Sequence, residues 1–340
     1  MDFFGLDIGS YSIKAVQLRK IQDKYQLVAL GSAPSTPKGL ASEAESDLTA
    51  LAENIKKLYQ EAKVTTKNVI SALPEDQVFT RVITLPKLSE EELTSALKWE
   101  TEQYVPIPLS EVTLAHQVIG ETTQDTRQKT EVLLVAAPNR LIDKLLKVLK
   151  TAGLNPVSLE TEILAMSRSL VAPDSEATLL VDLGARATDI AIVEKGQVVF
   201  TRSISTAGEA LTRAVAGALG LEAGQAEEYK KAYGMKEMEL EGKIKNAIMP
   251  VFESLSEEVR RAIAMHVESY NKSVDLLILS GGGAKMPGLA EELTKKLGVE
   301  VQIMQPFLKI DTTRIVVPID LNIDGYRFAV AVGSALRALL

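Results

Sequence analysis

Asp7-Ile8-Gly9-Ser10-Tyr11-Ser12-Ile13-Lys14 closes an apolar, strand-forming run, turns at a glycine and enters a second such run. Taken alone it is a β-hairpin. The same turn also offers a row of backbone N–H groups around Gly9, hydroxyls from Ser10 and Ser12, and the ammonium of Lys14. That set can hold a polyphosphate without a helix N-terminus, and Asp7 would then face a magnesium ion through water. Asp182-Leu183-Gly184-Ala185-Arg186-Ala187-Thr188-Asp189 repeats strand, turn and strand. Its Asp-x-Gly is followed by Thr188, a more demanding pattern than Asp-x-Gly alone, and two such hairpins facing one another would clasp one phosphate chain.

Around the first hairpin, Phe3 to Asp7, Ile13 to Arg19 and Gln26 to Gly31 read as a meander. A helical apolar stripe follows (Leu48, Leu51, Ala52, Ile55, Leu58, Tyr59), and then a strand from Asn68 to Leu73. Around the second hairpin the order returns: strands over Thr178 to Asp182, Asp189 to Glu194 and Gln197 to Ser205, then a helix from Gly208 to Gly220. The repetition predicts an α/β protein of two duplicated lobes facing across a cleft. Residues 79–155 break the symmetry and read as an inserted subdomain whose polar stretch Glu121 to Lys129 is a solvated hairpin tip. The expected division is 1–78 and 156–176 for the first lobe, with part of the C-terminal helix. The second lobe takes 177–210 and 272–340, and 211–271 form a helical subdomain.

A third constellation, Leu279-Ser280-Gly281-Gly282-Gly283-Ala284-Lys285-Met286-Pro287-Gly288, puts side-chain-free backbone where a strand gives way to a helix, a surface that a base or phosphate can approach closely. Turns alone account for most glycines. The order and spacing of the three sites distinguish them from that bland reading.

Composition bounds the rest. With 340 residues, 46% of them hydrophobic, the chain can bury more than one core. A net charge of -7 argues against binding nucleic acid through its phosphate backbone. The absence of cysteine excludes disulfides and thiolate zinc sites, so any metal would be oxygen-bound. The N-terminus lacks a secretory pattern and reads as cytoplasmic. No uninterrupted apolar run reaches the roughly 18 residues that a span requires, so membrane association is expected through a partner and not by insertion.

Two phosphate hairpins, a glycine-rich loop and a small-residue final helix, in that order, resemble the pattern shared by actin, sugar kinases, DnaK-type chaperones and FtsA. The resemblance covers nearly the whole chain. It implies the actin-like fold, with ribonuclease H-like duplicated lobes and an FtsA-type insert, and with ATP or ADP and Mg2+ in the central cleft. On it, Asp7, Gly9, Ser10, Ser12 and Lys14 match the first phosphate motif, and Asp182, Gly184 and Thr188 the second. Gly281, Gly282, Gly283 and Met286 match the adenosine motif. Asp7 and Asp182 are the implied metal-facing carboxylates. Glu160, at the head of the helix joining the lobes, matches the first connecting motif; Ala331, Gly333 and Ala335 match the second. Glu227 and Lys230 sit where relatives hold ribose and adenine, although a solvated helix face reads the same way. Asp182 and Glu160 are the candidates for orienting an attacking water.

Within that superfamily, Arg81-Val82-Ile83-Thr84-Leu85-Pro86-Lys87-Leu88-Ser89-Glu90-Glu91-Glu92-Leu93, then Trp99-Glu100, Tyr104-Val105-Pro106 and Ala152-Gly153-Leu154-Asn155-Pro156, are similar to the PilM proteins of type IV pilus assembly. Read plainly, Ser89 is a helix N-cap and Trp99 and Tyr104 are core aromatics. The chain stops at Leu340 inside its last expected helix, without the membrane-binding tail of FtsA. The resemblance implies a cytoplasmic ATP-binding scaffold of the inner-membrane pilus complex, serving pilus assembly and twitching motility. It would hold the N-terminal segment of PilN in a groove beside the insert, where Leu93, Leu97 and Trp99 are candidates. It would reach PilO and PilP indirectly and connect to the cytoplasmic motor ATPases. A weak ATPase, a kinase and a self-associating filament remain alternatives on the same fold.

Overall fold

The computed structural model describes residues 2–124, 127–316, 319–337 and 339. The first lobe opens with the antiparallel meander β1 (Phe4–Ile8), β2 (Ser12–Ile21) and β3 (Lys24–Pro34), followed by α1 (Glu45–Glu61) and β4 (Asn68–Leu73). The chain then builds β5 (Phe79–Pro86), α2 (Glu90–Tyr104), β6 (Val112–Gln124), β7 (Arg127–Pro138) and α3 (Asn139–Thr151). It returns through β8 (Asn155–Thr161) to α4 (Glu162–Leu170). The second lobe repeats the meander as β9 (Thr178–Leu183), β10 (Thr188–Glu194) and β11 (Gln197–Ile204), followed by α5 (Gly208–Leu219), α6 (Ala223–Tyr233) and α7 (Lys243–Tyr270). Last come β12 (Leu276–Ser280), α8 (Leu289–Leu297), β13 (Glu300–Gln302), β14 (Ile310–Asp311), α9 (Leu321–Asp324) and α10 (Ala329–Arg337).

The duplication is explicit in the sheets. One runs β14-β3-β2-β1-β4-β8 and the other β11-β10-β9-β12-β13, so five strands correspond in order and direction, and β14 extends the first. In both, the first strand of the meander is central and pairs in parallel with the strand after the crossover, which is why β1 and β9 are almost wholly apolar. The amphipathic stripe of α1 (Leu48, Leu51, Ile55, Leu58) fills the first lobe's core, and Ile248, Phe252, Leu255 and Val259 of α7 fill the second's.

A separate three-stranded sheet, β5-β7-β6, carries the insert, with α2 packing Leu97 onto Ile83, Leu85 and Val132. Ser89 caps α2 as expected: Glu92 N donates to its Oγ at 3.4 Å, and Ser89 N donates to Glu92 Oε2 at 2.9 Å. Within the expected insert, Leu141, Leu145, Val148 and Leu149 of α3 join the first lobe's core, while Asn139 at the start of α3 donates from Nδ2 to Ser110 O at 3.1 Å. Trp99 is 61% exposed and Tyr104 45%, so neither is a core aromatic, and Tyr104 carries the Arg81 guanidinium 3.7 Å above its ring. The final helix is described to Arg337, with Leu340 outside the described residues. Strands β6 and β7 carry the polar stretch on either side of residues 125–126, which lie outside the described residues. Among the described residues no helix is long and apolar enough to cross a membrane.

The lobes meet at α4 and α10. A Cβ placed on Gly333 would lie 1.8 Å from Ala165 O, and one on Gly5 would lie 2.1 Å from Ala331 O. Backbone therefore packs on backbone from β1 through α10 to α4, as the small residues Ala331, Gly333 and Ala335 of α10 require.

Candidate functional site

A cleft of about 550 Å³ lies between the lobes. Both hairpins line it, and they are built alike: Gly9 N donates to Ser12 O at 3.1 Å, and Gly184 N donates to Ala187 O at 3.0 Å. A Cβ at Gly184 would sit 2.7 Å from Ala187 O, so the turn requires glycine. The amino end of α5 docks on the second turn, with Gly208 N donating to Gly184 O at 3.0 Å and Glu209 N to Ala185 O at 2.8 Å. Ser10, Ser12 and Lys14 all line the cleft.

One difference between the repeats governs the electrostatics. In the first lobe Asp7 pairs across the strands with Lys14, whose Nζ donates to Asp7 Oδ2 at 2.8 Å. At the same register in the second lobe, Asp182 faces Asp189. Two carboxylates directly opposite one another repel. Burial pushes the Asp182 carboxyl up to about 6; a hydrogen bond from Ser280 opposes this and the charge of Asp7 adds to it. Burial raises Asp189 well above its ordinary range, and the charge of Asp182 raises it further. Asp189 Oδ1 is buried without a hydrogen-bond partner.

A fourth carboxylate, Glu162, joins them at the head of α4. Burial and the charges of Asp189, Asp7 and Asp182 push it well above its ordinary value. Asp7, Asp182, Asp189 and Glu162 thus present hard oxygen donors with one close cation, Lys14. Such a set suits Mg2+, which keeps most of its waters and takes few protein ligands. Among the described residues no three acidic or histidine side chains converge into a preformed metal cage, so the fit is to a hydrated ion that also uses ligand oxygens.

At the other end of the cleft Lys230 is 6% exposed. Its Nζ donates to Gly208 O at 3.1 Å and Thr212 Oγ1 at 2.9 Å, and pairs with Glu227 at 2.6 Å. Burial alone would raise Glu227, but hydrogen bonds from Lys230 and Thr212 and the lysine charges hold it down at about 2. This is a fixed polar cluster and not a solvated helix face. In the glycine run, Gly281 has φ +85°, and a Cβ there or at Gly283 would fall 2.5 Å from Leu183 O or 2.6 Å from Leu183 Cδ2. Those two glycines let the loop pack on Leu183, with Gly283 N donating to Leu183 O at 3.0 Å. Gly282 has nothing within 4 Å of such a Cβ and is open to the cleft, which Met286 also lines.

Two expected site residues lie elsewhere. Glu160 does not head the helix; it is the penultimate residue of β8, buried outside the cleft lining. Arg168 Nη2 donates to it at 2.7 Å and Arg337 Nη1 at 3.2 Å, so its charge is spent holding α4 and α10. Glu162, two residues on, reaches the cleft instead. Thr188 is fully buried, and its hydroxyl donates to Thr206 O at 2.7 Å, leaving the cleft lining to Asp189. The lobes also touch at the mouth, where Arg186 Nη2 donates to Pro37 O at 2.7 Å.

The profile of the family described as type IV pilus assembly protein PilM matches residues 5–339. The fold superposes on a chain of a solved PilM-PilN type IV pilus biogenesis complex with a TM-score of 0.85 and 31% identity, covering 100% of this chain and 99% of that one. Cell division protein FtsA of Streptococcus pneumoniae serotype 2 is 22% identical over 345 residues, 89% of this chain and 75% of its own. The ethanolamine utilization protein EutJ of Carboxydothermus hydrogenoformans shares the fold at a TM-score of 0.58 and 18% identity, covering 98% of this chain and 88% of its own. With the duplicated lobes, the insert and almost every residue inside one profile, the chain belongs to the type IV pilus assembly protein PilM family and carries the actin-like fold.

Proposed function

We propose that this chain is a nucleotide-dependent scaffold of type IV pilus assembly. It holds ATP or ADP with Mg2+ between its lobes and a short N-terminal segment of PilN beside its insert. The observation that carries this reading is the end-to-end match, at 31% identity, to a protein solved in complex with PilN. The cleft supports the nucleotide half. The Gly9 and Gly184 turns and Lys14 would hold phosphates, the Glu227–Lys230 cluster and Gly282 the nucleoside, and Asp7, Asp182, Asp189 and Glu162 the hydrated ion. Bound there, Mg2+ would supply neutralisation of phosphate charge. The nucleotide then acts as a ligand that selects one lobe orientation, and that orientation sets affinity for the partner. PilO and PilP are reached through PilN, and the cytoplasmic motor ATPases and a second copy of the chain are the further partners to test.

A slow hydrolytic activity is the second reading, favoured by Glu162, a buried carboxylate in the cleft that could orient a water. The deciding experiment is titration of the purified chain with a synthetic PilN N-terminal peptide, with Mg-ATP, with Mg-ADP and without nucleotide. Peptide affinity that differs between nucleotide states is expected. Binding that ignores nucleotide would leave a scaffold without a switch, and no binding in any state would reject the pilus-scaffold reading.

A further inference from the structure

The turn Pro74–Gln77 separates two cavities. On one side is the nucleotide cleft. On the other is a cavity of about 320 Å³ between the insert and the second lobe, whose walls include Thr80 and Arg81 of β5 and Thr201 and Ser203 of β11. Asp76 lines both. Beside it Glu75, only 3% exposed, bonds in three directions. Its backbone N donates to Glu162 Oε2 at 3.1 Å, its Oε2 accepts from Ile163 N at 3.5 Å, and its Oε1 accepts from Thr201 Oγ1 at 3.4 Å.

The first two bonds form a reciprocal cap assembled from distant segments. Thr161, the N-cap residue of α4, makes no side-chain cap, so an orphan N–H of the first turn is met by Glu75 while the first-turn carboxylate reaches back to Glu75 N. The third bond crosses to the edge strand of the second lobe. We infer that Glu75 is a positioning residue: its backbone N–H holds Glu162 in the cleft, and its side chain transmits that setting to the seam between the insert and the second lobe. This rests on the nucleotide reading of the cleft. A bound nucleotide and ion that draw on Glu162 load the cap, the cap fixes the Pro74–Gln77 turn, and the turn fixes the root of β5 against Thr201.

The test is amide hydrogen exchange at residues 79–81 and 201–203 of the full chain, with and without saturating Mg-ADP, in wild type, Glu75→Ala, Glu75→Gln and Thr201→Val. In wild type Mg-ADP is expected to slow exchange at the seam by roughly five- to tenfold, the low end of ordinary coupling between sites. Glu75→Ala should bind Mg-ADP within a few-fold of wild type yet lose that nucleotide dependence. Glu75→Gln, which keeps one acceptor oxygen, and Thr201→Val, which removes one bond, should each retain part of it. Should Glu75→Ala fail to fold, the two milder variants decide the matter. Equal nucleotide-dependent protection in wild type and variants overturns the inference, as does a wild-type seam that ignores bound Mg-ADP. Calorimetry that finds no Mg-ADP binding to wild type overturns the nucleotide reading itself, a separate and recognisable failure.

Discussion

Replacing Asp182 with asparagine should make the nucleotide-free protein more stable at pH 7.5 while removing its stabilisation by Mg-nucleotide. The carboxyl is held at about 6, against 3.8 for an ordinary aspartate. An acid whose folded value is raised weakens the fold wherever the unfolded chain ionises more readily, so the penalty is absent below about pH 4 and complete above about pH 6. At about 1.4 kcal/mol per unit, a rise of about two units costs roughly 3 kcal/mol. Asp182 keeps part of its surface in the cleft, where water relieves some of the burial, so about 1–3 kcal/mol is expected. Asparagine preserves the shape and a partner for Ser280 and ends the repulsion with Asp189. Urea denaturation of both proteins at pH 7.5 and 4.5 measures the difference, which should fall at the second to about a third of its value at the first. Mg-ADP at a hundred times its dissociation constant should add about 2.7 kcal/mol to wild type and little to the variant. An Asp182→Asn protein no more stable than wild type at pH 7.5, or equally stabilised at both pH values, would refute the electrostatic account.

Gly281→Ala and Gly282→Ala should separate folding from binding: the first strains a left-handed backbone packed on Leu183 and should lower stability by about 1–3 kcal/mol, whereas the second should leave the melting temperature unchanged and weaken Mg-ADP affinity by calorimetry. Lys230→Met leaves Glu227 without its principal donor and should cost about 1–3 kcal/mol at pH 7. Because Glu227 is held at about 2, its stabilisation is present above its ordinary 4.5 and lost as pH falls toward 2, so the variant's deficit in acid titration should shrink across that window. Gly333→Ala forces a methyl onto Ala165 O and should cost about 2–4 kcal/mol in urea denaturation.

The lobes were legible because a repeated Asp-x-Gly hairpin and a repeated strand order are properties of the chain itself. Both hairpins and the glycine run came together in one cleft. What the chain could not disclose was the direction of individual side chains where a strand becomes a helix. Glu160 and Glu162 share one face of an extended strand, and only the end of β8 at Thr161 decides which is carried into the cleft. Thr188 and Asp189 present the same ambiguity one residue apart, though the substitution of Asp189 for the Lys14 position of the first repeat was a signal available for the reading. Trp99 was misplaced because an aromatic on an amphipathic helix is apolar whether or not anything covers it.

The close crossing of α4 and α10 has a mechanical consequence. Helices packed through long side chains lock ridge into groove and turn only by disengaging them. Here Gly333 rests directly on the carbonyl of Ala165, with Arg168 Nη1 fastened to Gly333 O at 2.7 Å, so the contact resists pulling apart while no side chain at Gly333 stands as a ridge against rotation. Such a joint behaves as an axle. A small angular displacement at Gly333 would be multiplied by the distance to the Arg186–Pro37 contact between the lobes, so the closest backbone approach of α4 and α10 would set how wide the cleft opens.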